Sequence, residues 1–151
     1  MSTIPSVLAP VINSFTPTKN YPSFSSLINE GYVVTTLPTG NATYTPAQII
    51  GGLIVHPVTG ASTGTLPTAT LLIPAIQGAA VGSGIRVIFD NGAGTATLTI
   101  AVGAGGTLKA ASGAIATLDV REFLIIVTNL GDVNAVGATY DCYSLGAASA
   151  E

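Results

Sequence analysis

In Ile85-Arg86-Val87-Ile88-Phe89-Asp90-Asn91-Gly92-Ala93-Gly94-Thr95-Ala96-Thr97-Leu98-Thr99-Ile100, a β-branched and aromatic run meets a turn cluster and then a strict alternation. Threonines at 95, 97 and 99 alternate with Ala96, Leu98 and Ile100, which gives one polar and one apolar face, the period of a half-buried strand. Between the two runs, Asn91-Gly92 supplies residues that tolerate positive φ, so Asp90 to Gly94 reads as a tight hairpin. Working outward, Thr107–Ala110, Ala114–Leu118, Phe123–Thr128 and Thr139–Leu145 have the same short-strand character, with turns every eight to twelve residues or so. The spacing predicts a sandwich or barrel of short strands.

Towards the N-terminus the pattern loosens. Tyr32 to Leu37 is a β-branched run that stops at Pro38-Thr39-Gly40-Asn41, a turn cluster, and Leu53-Ile54-Val55 resumes as strand. At Thr45-Pro46-Ala47-Gln48 an N-cap Thr is followed by Pro at the first helical position and by Gln three residues after the cap, which is a capping-box start. Gly51-Gly52 ends that helix within about a turn. Leu72 and Ile76 share one face of a second short helix over 68–76.

Residues 1–30 differ from the rest. Pro5, Pro10, Pro17 and Pro22 exclude regular helix, and the apolar residues between them make the segment too greasy for a solvating tail. The chain divides into an extended N-terminal arm, 1–30, and a β-domain, 31–151. Val11, Ile12, Phe15, Tyr21 and Phe24 are the candidate partner-binding residues of the arm.

Charged residues make up only 7 % of the chain, against about 25 % in an ordinary soluble protein. No Asp, Glu, Lys or Arg occurs from Gly31 to Ile85. So neutral a surface points to interfaces, including contacts with copies of itself. The four basic residues, Lys19, Arg86, Lys109 and Arg121, form no stripe that could follow a phosphate backbone, which argues against nucleic acid as a partner. No run of about 18 apolar residues is uninterrupted: Leu71 to Phe89 is broken by Pro74, Gln77, three glycines, Ser83 and Arg86. No basic, then apolar, leader precedes the arm, so the chain is read as soluble, off the membrane and made in a cytoplasm.

Chemistry finds little to work with. His56, the single histidine, precedes Pro57 at a strand end and has no second His or Cys at metal-ligand spacing. Gly60-Ala61-Ser62-Thr63-Gly64 matches the nucleophile-elbow pattern by letter, but no His follows Ser62, and Pro67 prevents an immediate helix. Gly103-Ala104-Gly105-Gly106 lacks the third dinucleotide-fingerprint glycine, and Asp132-Val133-Asn134 supplies only two oxygen ligands for calcium. Asn41-Ala42-Thr43 is a formal glycosylation sequon without a secretion signal. Cys142 falls in the alternation of a strand and reads as a small buried hydrophobe. The residues therefore predict no catalytic site, cofactor, metal or small-molecule substrate. Alanine at Ser62, His56 or Cys142 is expected to leave assembly and stability nearly unchanged, apart from a packing cost at Cys142.

The order of Thr45-Pro46-Ala47-Gln48-Ile49-Ile50-Gly51-Gly52-Leu53-Ile54, Leu66-Pro67-Thr68-Ala69, Gly82-Ser83-Gly84-Ile85 and Phe89-Asp90-Asn91 resembles a family of small virion structural proteins of tailed phages, especially those of cyanobacteria. Gly103 to Leu108, Phe123 to Asn129 and Tyr143-Ser144-Leu145 continue the resemblance over two-thirds of the chain. It implies a jelly-roll-like β-sandwich of short antiparallel strands with one or two short helices. It also implies a homotrimer on the virion, either as a capsid decoration (cement) protein bound to the major capsid protein or as a tail-fibre or head-fibre module. A glycan-binding jelly roll for host attachment is the reading outside that class. The arm lies outside the resemblance.

Overall fold

The computed structural model describes residues 31–110 and 112–145. The domain is mostly β. Ten strands run β1 (Val33–Thr36), β2 (Ala42–Thr43), β3 (Gly52–Val55), β4 (Ser62–Thr65), β5 (Gly84–Asp90), β6 (Leu98–Ala101), β7 (Gly106–Leu108), β8 (Ala114–Ile115), β9 (Val120–Asn129) and β10 (Thr139–Ser144). Helix α1 (Pro46–Gly51) precedes β3 and α2 (Ala69–Ala75) precedes β5. Both helices fall where the sequence places them. Thr45 accepts from the Gln48 amide at 3.3 Å while Gln48 Oε1 accepts from the Thr45 amide at 2.8 Å, and Gly52 ends α1 in the left-handed region.

The strands form a six-stranded sheet, β1-β3-β5-β9-β10-β7, and a four-stranded sheet, β2-β4-β6-β8. Successive strands from β1 to β9 alternate between the two sheets. The chain is thus wound: a strand in the larger sheet, a corner, a strand in the smaller sheet, then a return. Val33 pairs with Gly52 and Leu53 with Ile88 in parallel register, and in the smaller sheet Ala42 pairs with Gly64 and Ser62 with Leu98, also in parallel. The second winding is longer because α2 and the loop to β5 are inserted in it.

Winding corrects two expectations. The strands are not generally antiparallel: five of the eight described pairings are parallel, and only β5 with β9, β9 with β10, and β6 with β8 run antiparallel. A strand that re-enters its sheet after crossing to the other one travels in its original direction, whereas a hairpin reverses it. Nor is Asp90 to Gly94 a hairpin, because β5 and β6 lie in different sheets. Asn91 is fully buried, and its side chain does the work of a pillar. Its Oδ1 accepts from Val58 N at 3.1 Å, and its Nδ2 donates to Ala96 O and Ala116 O, both at 2.9 Å. A Cβ on Gly94 would overlap that amide, so glycine is required there for contact.

Two short strands, β2 and β4, are not among those the sequence suggests. The inward positions of β4 are Ser62 and Gly64, too small to show apolar alternation. Gly64 is small because the Tyr44 ring lies directly over it. Tyr44 is the hub of the core on this side, with its ring centroid 5.1 Å from Phe89, which packs edge-on against Phe123 at 5.6 Å. The core cluster is continuous across residues of both sheets and both helices, among them Ile49, Ile54, Leu72, Leu98, Ile100, Ile125 and Tyr140.

Asn91→Ala is expected to lower stability by about 3 kcal/mol, since Val58 N, Ala96 O and Ala116 O lose their partner in a dry corner. Urea denaturation checks it, and a loss under about 1 kcal/mol would show that water replaces the amide.

Candidate functional site

The residues singled out for chemistry are each spent on structure. Ser62 lies on a strand, not on a strand-to-helix turn, and its Oγ donates to Gly60 O at 2.7 Å. The Gly103–Gly106 loop wraps Tyr140: a Cβ on Gly106 would enter its ring, Gly103 N donates to Tyr140 Oη at 3.2 Å, and that hydroxyl donates to Pro67 O at 2.9 Å. Burial pushes the Tyr140 phenol up to about 12, which keeps it a donor. Cys142 is buried, and desolvation holds its thiol protonated, at about 12. Among the described residues, no three His, Cys, Asp or Glu side chains converge as a metal site would need.

His56 needs correction. It does sit in a corner, but it is fully buried, and its substitution cannot be silent. Nε2 lies 2.9 Å from Gly40 O, which only accepts, so Nε2 carries the proton; Nδ1 then accepts from the Tyr44 hydroxyl at 2.9 Å. The imidazole is neutral and ties the first winding to the second. Desolvation lowers its pKa against the opposing pull of the Gly40 and Pro38 carbonyls, and burial raises that of Tyr44.

The described surface combines few charges with exposed apolar side chains. Eight formal charges lie on it, six of them in three ion pairs and two, Asp90 and Asp132, bonded only to backbone amides. Arg86 pairs with Glu122 at 3.2 Å, Lys109 with Asp141 at 3.4 Å and Arg121 with Asp119 at 3.8 Å. Asp90 accepts from Gly92 N, and Asp132 Oδ1 from Asn134 N and Val136 N. Apolar side chains, by contrast, stand in water. The β9–β10 loop holds Val133 100 % and Val136 64 % exposed. That loop is braced: Asp132 N donates to Val136 O, Ala135 N to Asp132 O, and Gly131 N to Asn129 Oδ1. Ala135 takes φ +58°, a conformation costly for a residue with a Cβ. The loop's bonds hold Val133 and Val136 in one exposed arrangement.

A second surface feature is a shallow polar cavity of about 220 Å³ on the smaller sheet, lined by Asn41, Ala42, Thr43, Thr63 and Thr65. Asn41 Oδ1 accepts from Thr63 N at 2.8 Å, which fixes the amide. The sequence hid this cavity because β2 and β4 were not legible as strands. The arm residues Val11, Ile12, Phe15, Tyr21 and Phe24 lie outside the described residues. No described helix is long and apolar enough to cross a membrane. Comparison with family models, curated proteins and solved structures returns no match.

Because the folded value of His56 lies below its ordinary 6.5, the unfolded chain binds the proton first as pH falls. Stability is therefore full above about pH 6.5 and declines below it, towards the lowered folded value. The urea midpoint is expected to drop between about pH 7.5 and 5.5, and His56→Asn should shrink that drop while costing stability at both. An equal drop in both proteins would assign the pH dependence to other groups.

Proposed function

We propose that this chain is a non-enzymatic virion structural protein. In this reading it is a capsid decoration protein: a wound, two-sheet β-domain that trimerises on the outer shell and ties major capsid subunits together. The observation that carries it is a surface with few charges, six of the eight described ones already ion-paired, on which Val133 and Val136 are braced in water. Such a face attaches by shape and apolar contact, and with three basic against five acidic described residues it has no positive stripe with which to steer to a polyanion. The likeness of the sequence to small phage virion proteins supports the same reading. Many weak contacts repeated over a shell sum to firm retention, which suits a small neutral clip.

A tail-fibre or head-fibre module is the rival within this class, and copy number separates the two. Hundreds of copies per purified particle fit decoration, and a dozen or fewer fit a fibre. Attachment to a neutral glycan is favoured only by the cavity at Asn41, Thr43, Thr63 and Thr65, a group of neutral donors and acceptors without an aromatic platform.

Light scattering on the purified chain is expected to give three times its 15.0 kDa mass, and a monomer at micromolar concentration would overturn self-assembly. Removing residues 1–26 should leave a folded, soluble domain that no longer raises the heat stability of decorated particles. Thirty extended residues reach up to roughly 100 Å, enough to strap one subunit to the next. Unchanged retention of the shortened chain would remove the arm from the attachment.

A further inference from the structure

The two ends of the six-stranded sheet are treated differently. At one end β7 is only three residues long and is followed by Lys109, whose ammonium pairs with Asp141 on the neighbouring β10. A short edge marked by a charge resists pairing with another chain. The edges of the smaller sheet, β2 and β8, have two residues each. β1 has none of these guards. Val33-Val34-Thr35-Thr36 carries no charge, proline or bulge, and among the described residues it pairs with β3 alone.

β1 is also largely exposed on its faces, although Gly51 at the end of α1 comes close to Val33. Successive residues of a strand point to opposite sides, yet Val33 is 65 % and Val34 57 % exposed, and no residue of the strand is buried. A β-branched strand that contributes nothing to the core gains little from one neighbour, and an open apolar edge is a template for another strand.

The chain that leads into β1 contains a piece suited to that template. A strand hydrogen-bonded along its length excludes proline, and of the pieces between Pro5, Pro10, Pro17 and Pro22 the longest without one is residues 23–30. It reads Ser23-Phe24-Ser25-Ser26-Leu27-Ile28-Asn29-Glu30 and contains three large apolar residues, Phe24, Leu27 and Ile28. Resting on the self-assembly reading, we infer that the open edge of β1 is the seat of a strand supplied by residues 23–30 of a neighbouring copy. Folding back onto its own β1 would leave Gly31-Tyr32 as the turn and the same piece for pairing, so self-assembly, on which the inference rests, is what selects the neighbouring copy. Each copy then gives and receives one strand, a head-to-tail contact that closes as a ring.

The test uses the full chain with the photo-crosslinker p-benzoylphenylalanine in place of Phe24, assembled from equal amounts of ¹⁴N and ¹⁵N copies and irradiated. Mass spectrometry is expected to find residue 24 joined to peptides containing β1, with mixed-isotope pairs about as frequent as like pairs. Val34→Lys, which places a guard charge on the edge, should raise the dissociation constant of the oligomer at least tenfold with unchanged circular dichroism. Crosslinks to β1 in like-isotope pairs alone, or to peptides away from β1, would overturn the inference. Light scattering on the same sample separates the two claims: an oligomer with such crosslinks refutes only the strand exchange, and a monomer refutes self-assembly with it.

Discussion

Backbone amides at the corners between the sheets must find partners where little water reaches them, and the rest of the architecture depends on how they do. Two buried polar side chains meet that need. Asn91 joins Val58, Ala96 and Ala116, and His56 joins Gly40 to Tyr44. Thr39 and Thr59 add a smaller rung on the outside, with Thr59 N donating to Thr39 Oγ1 at 2.9 Å. With the corners stacked, the parallel registers of both sheets follow, because each winding must re-enter its sheets beside the one before.

The same constraint explains the glycines and tyrosines. Tyr44 over Gly64 and Tyr140 over Gly106 are paired devices, in which a large ring uses the space that a missing side chain leaves on an adjacent strand. Each tyrosine keeps its hydroxyl satisfied, Tyr44 by His56 and Tyr140 by Pro67. Burial of these polar tips is thus tolerated by construction.

Much of this was legible in the residues themselves. The capping box at Thr45, the strand at Phe123 and the buried thiol of Cys142 followed from local rules that tertiary context did not override. The winding was not legible, for a physical reason. Asn91-Gly92 has the chemistry of a hairpin, and only the presence of Val58 N at the right distance turns the asparagine inward. A clue was available in Leu37-Pro38-Thr39-Gly40 and His56-Pro57-Val58-Thr59-Gly60, two related corners that stack in space. The braced loop at Asp132 was likewise hidden, since its two backbone bonds to one carboxylate depend on the positive φ of Ala135.

Winding also sets how the chain reaches this state. Neighbouring strands in both sheets come from different turns of the coil, as Leu53 and Ile88 or Ser62 and Leu98 do, so most sheet contacts wait on closure of long loops. Folding of such a topology is slow beside that of a helical bundle of equal length, and unpaired strands stay exposed meanwhile. For a chain with so few charges to keep copies apart, the hazard is association before closure. Synthesis from the N-terminus lessens it, because each completed winding offers the next a finished edge on which to grow.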